Sequence, residues 1–344
     1  MINFRTTYFT LLCVCSFLPF FLNSCATSKL GAAGQRKTAG KTYVIAGASS
    51  GFGRGVAEQL GEYKANVVLA ARRTDLLEEI ANNIRAAGGT AIVVPIDISK
   101  AEDVKHLADT AVRHYGHIDV WINMAGVGAI GRFWEIPLED QARTVDVNLK
   151  GFIYGSYYAV RQFTSQGYGT LINLGSVESH NPLAYHASYA ATKGGILNLG
   201  AAISEELRLS GHKKIHVVTI EPWAVDTPFW RHSGNYTGGT PRMIMLDMPY
   251  KVVNAVIRAS LRPRKEVPVG WKAKLARNFH RTMPRFTERL SAKVVHKVQI
   301  VNAPPAPNTS GSIHKAMKGG RGVDDGVKAR VKAERRERRK HRRD

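Results

Sequence analysis

The sequence predicts an α/β protein, a doubly wound parallel sheet carried by a single domain. Three observations lead there. From Lys41 onward, short continuous apolar runs alternate with amphipathic stretches of helical spacing, the pattern of a parallel sheet covered on both faces. A glycine-rich turn, Gly47-Ala48-Ser49-Ser50-Gly51-Phe52-Gly53, follows the first apolar run. All three cysteines, Cys13, Cys15 and Cys25, precede the patterned region. That excludes a disulfide framework, a cysteine metal site or a cysteine nucleophile within it. Apolar residues make up 44% of the 344 residues, enough for a full-sized core.

The elements follow in order. Tyr43–Ala46 is a short apolar strand closed by Gly47, and Gly53–Leu60 has helical spacing. Asn66–Ala71 is a second strand. Thr74–Ala87 is an amphipathic helix stopped by Gly88-Gly89. Thr90–Ile96 is the third strand, Ala101–Tyr115 a helix, and Ile118–Asn123 the fourth strand. Leu138–Gln166 reads as one long helical region. Thr170–Leu174 is a strand, Ser188–Leu209 a helix and Ile215–Ile220 a strand. Beyond Pro222 the pattern weakens. Asn235–Pro241 reads as loop, Lys251–Ser260 as helix and Val267–Gly270 as a last strand. There is no internal repeat.

A glycine-rich turn between a strand and a helix lets the backbone approach a pyrophosphate. The helix N-terminus adds amide donors and a positive dipole. At this point the sequence resembles the short-chain dehydrogenase/reductase family, whose loop follows TGxxxGxG. Ala46 stands where that family has threonine, but the three glycines are kept. The resemblance implies a Rossmann-type sheet of seven strands, a nicotinamide cofactor held by Gly47, Ser49, Ser50, Gly51, Phe52 and Gly53, and a homodimer or homotetramer. It covers Lys41 to Trp230 closely and 231–300 in outline, with 231–250 as a mobile substrate lid.

The second strand ends Ala70-Ala71-Arg72-Arg73. A carboxylate there would favour NAD by accepting ribose hydroxyls. Ala71 followed by Arg72 and Arg73 instead suits the 2′-phosphate of NADP, which a guanidinium grips with charge-assisted bonds. Asp97 and Ile98 match the family position beside the adenine. Asn123-Met124-Ala125-Gly126 resembles the family's NNAG segment along the cofactor, with Met124 as a departure.

Tyr189 and Lys193 are spaced i, i+4, so they share a helix face. Ser176 lies thirteen residues before Tyr189, the interval of the family's serine and tyrosine. Asn148 matches its fourth catalytic residue. The residue types suit carbonyl–alcohol chemistry. Hydride transfer leaves charge on oxygen, which needs a proton donor. A tyrosine of ordinary pKa near 10 is a poor base at neutrality. A neighbouring ammonium and the oxidised nicotinamide would favour its phenolate. The resemblance gives Lys193 the nicotinamide ribose, Ser176 the substrate oxygen, and Asn148 a water leading to solvent. Pro222, Val225 and Thr227 match the PGxxxT segment at the nicotinamide end, where Trp223 replaces glycine. A bulky ring there either narrows the pocket or turns outward. His180 and His186 form no metal-ligand pattern, and no metal is expected. Tyr185 and His186 read as pocket-shaping residues. Phe152, Tyr154, Tyr157 and Tyr158 read as helix packing or an oligomer interface.

The termini read differently. Residues 1–26 hold an apolar run, Tyr8–Leu22, too short and too interrupted by Ser16 and Pro19 to span a membrane comfortably. It suits a secretory signal or a membrane anchor. Leu22-Asn23-Ser24-Cys25-Ala26 resembles a lipoprotein cleavage site that would leave Cys25 lipidated. Residues 27–40 read as linker and 41–300 as the folded domain. Residues 301–344 read as a second linker, Ala303–Gly311, and a basic disordered tail with no apolar face worth burying. The net charge is +22, and the tail carries much of it. Such charge suits an anionic partner. No specific nucleic-acid motif or stacking aromatic accompanies the arginines, so membrane lipid is the expected partner. Export would separate the enzyme from NADP(H). Lys29, Arg36, Lys37 and Lys41 after the apolar run favour a membrane-associated enzyme with its catalytic domain in the cytoplasm.

Two functions compete: an NADP(H)-dependent oxidoreductase acting on a small carbonyl or alcohol, and a membrane-tethered binding or scaffolding protein without turnover. The intact set Asn148, Ser176, Tyr189 and Lys193 favours the first.

Overall fold

A computed structural model describes residues 28–340. The expected leader and Cys25 lie outside the described residues. Seven parallel strands form one sheet in the order β3-β2-β1-β4-β6-β7-β9. They are β1 (Thr42–Ala46), β2 (Asn66–Ala71), β3 (Thr90–Pro95), β4 (Val120–Asn123), β6 (Gly169–Leu174), β7 (Ile215–Pro222) and β9 (Glu266–Val269). A separate pair, β5 (Ala129–Gly131) and β8 (Gly234–Tyr236), lies beyond the ends of the main strands.

Alternation along the strands explains the two helical layers. Tyr43 and Ile45 of β1 face one core, with α2 (Gly51–Glu62), α3 (Thr74–Ala86) and α9 (Tyr250–Leu261). Val44 and Ala46 face the other, with α4 (Ala101–Tyr115), α6 (Gly151–Gln166) and α7 (Ala187–Leu209). Burying a large apolar side chain contributes about 1.5–3 kcal/mol, so strands buried on both faces anchor the domain. Strand order reverses between β1 and β4. A ligand crevice opens at such a switch point, beyond the carboxyl ends of the strands.

The long helix expected over Leu138–Gln166 is broken. It comprises α5 (Leu138–Val145), a π-helical turn over Asp146–Lys150, and α6. The turn carries Asn148 and widens the helix where it meets the site. Asn235 and Tyr236, expected in a loop, belong to β8, which pairs with β5.

The segments expected as linkers and tail are folded. Within 27–40, α1 (Ala32–Thr38) forms and Leu30 is buried against the core. The 301–311 segment is bonded at Asn235 N–H to Thr309 O, 2.7 Å, and Thr240 N–H to Pro304 O, 2.8 Å. Past it the chain runs as a strap and enters α12 (Val327–Lys340). Val327 and Val331 are buried beside Trp230, Met243 and Leu246. The Asp226 carboxylate accepts the first amides of α12 from Val327, 2.9 Å, and Lys328, 3.0 Å. Arg242 pairs with Glu334. The tail's composition hid this. Two valines suffice to dock the helix because a capping carboxylate and an arginine wait on the domain. Among the described residues no helix is long and apolar enough to cross a membrane.

Candidate active site

The carboxyl ends of β1, β4, β6 and β7 surround a cavity of about 640 Å³. Its floor is the glycine turn. Gly47 has φ 109°, and a Cβ there would fall 2.4 Å from the Ala125 nitrogen. A Cβ on Gly53 would fall 2.0 Å from the Gly47 carbonyl oxygen. The turn therefore packs against its neighbours only without side chains, leaving a backbone cradle at the start of α2. Such a cradle fits dinucleotide phosphates.

Gly47, Ser49, Ser50, Gly51, Phe52 and Gly53 all line the cavity, with Arg72, Arg73, Asp97, Ile98, Ala125 and Gly126. Arg73 donates to the Ser49 and Ser50 hydroxyls at 3.0 and 2.7 Å. Its other nitrogen faces carbonyls of the strap, Gly320 at 3.3 Å among them. Arg72 donates to the Ser312 carbonyl at 2.7 Å and to His314 at 3.0 Å. The Gly51 amide donates to the Gly322 carbonyl at 2.9 Å. Neither arginine meets a carboxylate through these bonds. Asp97 is instead held by Ser99, 2.8 Å, and by Arg143. Burial opposes its charge, but those partners win and keep its pKa below the ordinary value.

Asn123 departs from the expectation. Its side chain is fully buried and bonds Trp121 and Asn173 at 2.7 and 2.9 Å. It joins β4 to β6 below the cavity and is not among the lining residues. Asn148 behaves similarly. Its amide clamps the Val127 backbone at 2.9 and 2.8 Å and reaches Thr192 at 3.2 Å.

Ser176, Tyr189 and Lys193 come together at the cavity wall. Ser176 follows β6 and accepts the Glu178 amide at 3.1 Å. Lys193 Nζ donates to the Leu174 carbonyl at 2.6 Å and lies 5.5 Å from the Tyr189 ring centroid. Burial raises the Tyr189 pKa, Glu178 raises it further, and the Ser176 hydroxyl opposes them. Burial pushes Lys193 down to about 7, against the pull of Glu178. Burial thus keeps the phenol protonated and favours the neutral amine of Lys193.

Glu178 is the residue that sequence reasoning missed. It is buried, lines the cavity, and bonds His186 Nδ1 at 3.1 Å. Its other oxygen, Oε2, is buried without a partner. An acid two residues after the serine was the available signal. His186 stands edge-on to Tyr189 behind the wall. Pro222, Val225 and Thr227 line the cavity. So does Trp223, which therefore turns inward; its indole N–H is buried and unpartnered. Phe229, Trp230, Trp271, Leu275, Phe279 and Leu290 complete an apolar side no motif announced. The His180 ring gathers with Glu221 and Glu266, ligand atoms lying within 4.8 Å of one another. Arg277 already sits 3.2 Å from Glu266 and 4.0 Å from Glu221, supplying the cation those carboxylates need.

A doubly wound sheet with a glycine cradle at its switch point and a serine–tyrosine–lysine wall is the architecture of an oxidoreductase. Residues 41–236 match the family described as short chain dehydrogenase. An uncharacterized oxidoreductase of Bacillus subtilis, YxnA, is 32% identical over 284 residues, 82% of this chain and 80% of its own length. Among solved structures, an alcohol dehydrogenase of Thermococcus sibiricus complexed with 5-hydroxy-NADP is 26% identical with a TM-score of 0.58. It matches 66% of this chain and 94% of its own. A metagenomic short-chain oxidoreductase in complex with NADP is 27% identical with a TM-score of 0.57, over 67% of this chain and 97% of its own. The chain belongs to the short-chain dehydrogenase family.

Proposed function

We propose that this chain is an NADP(H)-dependent oxidoreductase that interconverts a carbonyl and an alcohol, with Tyr189 as the proton-transfer group. The observation that carries the reading is the convergence of Ser176, Tyr189 and Lys193 on one wall of the cavity whose other end holds Arg72 and Arg73. The bound cofactor supplies the hydride.

The chain's own residues do the rest. Ser176 holds the substrate oxygen beside the phenol, since both hydroxyl-bearing residues line the same wall. Tyr189, kept protonated by burial, gives its proton to that oxygen during reduction. Lys193, braced by Leu174 O, holds cationic charge beside the ring as the proton leaves. Arg72 and Arg73 favour the 2′-phosphate of NADP, since both can exchange neutral carbonyl acceptors for a charged one. Two neighbours in structure were solved with NADP or its 5-hydroxy derivative, which supports the same choice.

The test is NADPH consumption against a panel of carbonyl compounds, with Tyr189→Phe as control. Parent turnover and a silent variant that still binds NADPH are the expected pair. A parent that binds NADPH and reduces nothing on the panel would return the chain to a binding role.

A further inference from the structure

The outer wall of the cavity is a helical hairpin made of α10 (Gly270–Thr282) and α11 (Pro284–Val295). Trp271, Leu275 and Phe279 recur every four residues on α10, and Phe286 and Leu290 do so on α11. These residues are 40–59% exposed, as is Met283 at the bend. Trp271, Leu275, Phe279 and Leu290 also line the cavity. One apolar face therefore serves both the cavity and the outside. Its own contacts leave it half covered, which is costly for a face of this size in water.

Charge surrounds it. Arg281, Arg285, Arg289 and Lys293 are exposed and spaced by four. None is in an ion pair among the described residues. Glu288 is the single acid between Gly270 and Val301. A row of cations thus runs beside a row of aromatic and aliphatic side chains. An amphipathic element of this composition lies in a bilayer interface, apolar side chains among the acyl chains and cations at the headgroups. A second copy of the chain fits less well. A two-fold contact would set this cationic row against its own image. A nucleic acid would satisfy the charges and leave the apolar row in water.

We propose that the α10–α11 face docks on an anionic phospholipid surface, so that the cavity mouth opens onto lipid. On the hydride-transfer reading above, the substrate is then a lipophilic carbonyl compound or alcohol that enters along this wall. The docking itself does not depend on that reading.

The full chain is mixed with vesicles of equal parts phosphatidylcholine and phosphatidylglycerol carrying brominated acyl chains. The Trp271 signal is the difference in fluorescence between the parent and Trp271→Phe. The expected result is a blue-shifted Trp271 signal quenched by the bromines. A Met283→Glu, Phe286→Glu double variant, altered only at exposed positions outside the cavity lining, loses that quenching even if other segments keep it on the vesicle. A Trp271 signal indifferent to brominated lipid overturns the proposal, whether or not the chain sediments with the vesicles. So does a dimer in solution that the double variant splits, because the face would then belong to a second copy. No turnover enters this readout, so it can fail while the oxidoreductase reading stands, and the reverse.

Discussion

The Arg72 guanidinium donates to the main-chain carbonyl of Ser312 at 2.7 Å, although 240 residues separate them. With the Gly51–Gly322 bond and the carbonyls around Arg73, this lays the strap over the donors that the cofactor's phosphates would use. A neutral carbonyl bonds a guanidinium less strongly than a phosphate does. Bound NADP should therefore take these donors and release the strap. Backbone hydrogen exchange over 312–322 should quicken when NADP is added, and quicken less with NAD. Slower exchange would mean that the strap closes over the cofactor instead.

Arg72 should also set cofactor choice. Hydrogen bonds to charged groups contribute about 1.5–3 kcal/mol. Arg72→Ala should accordingly weaken NADPH by about 10- to 100-fold and leave NADH within a few-fold. Fluorescence titration with both cofactors measures this. Equal losses for the two would assign Arg72 to the strap alone.

Lys193 makes a prediction about stability. Burial lowers its pKa from 10.5 to about 7. Between those values the unfolded chain binds the proton and the folded chain does not. Stability should therefore rise with pH from about 7 toward 10.5, by at most about 1.4 kcal/mol per pH unit from this group. Below about pH 7 the full cost of burying an ammonium is present. Lys193→Met should lack this rise and be the more stable variant at neutral pH. Denaturant midpoints for both proteins across the range give the comparison. Parallel curves would sink the assignment.

These residues also show what the sequence could and could not tell. Tyr189, Lys193 and Ser176 were legible because helix spacing and strand end fix them locally. The strands were legible because burial on both faces makes them continuously apolar, as in Tyr43–Ala46. The π-helical turn that carries Asn148 was not legible, since an extra residue in a helical turn leaves no mark on an apolar pattern. Asn123 looked like a cofactor residue because of the family motif it resembles; only packing against Trp121 and Asn173 shows it turned inward. The tail failed for another reason. Its arginines and lysines read as solvated, whereas its docking depends on Asp226 and Arg242, partners about a hundred residues away and invisible to any local rule. The cavity's apolar side, from Phe229 to Leu290, is likewise a product of tertiary contact.

Glu178 offers the sharpest test of the site's electrostatics. Its charge raises the pKa of Tyr189 and of Lys193 together. Glu178→Gln keeps the shape and a hydrogen bond toward His186 but removes the charge. Tyr189 should then ionise at lower pH. On the proposed mechanism reduction requires the protonated phenol, so its alkaline fall should move to lower pH in the variant. The reverse oxidation uses the phenolate, and its alkaline rise should move the same way. Lys193 should lose its proton more easily as well, because the carboxylate no longer opposes burial. A residue that merely braced His186 would change the rate without displacing either limb. Profiles of kcat/KM against pH for both directions distinguish the two cases, and unmoved limbs would assign Glu178 to scaffolding alone.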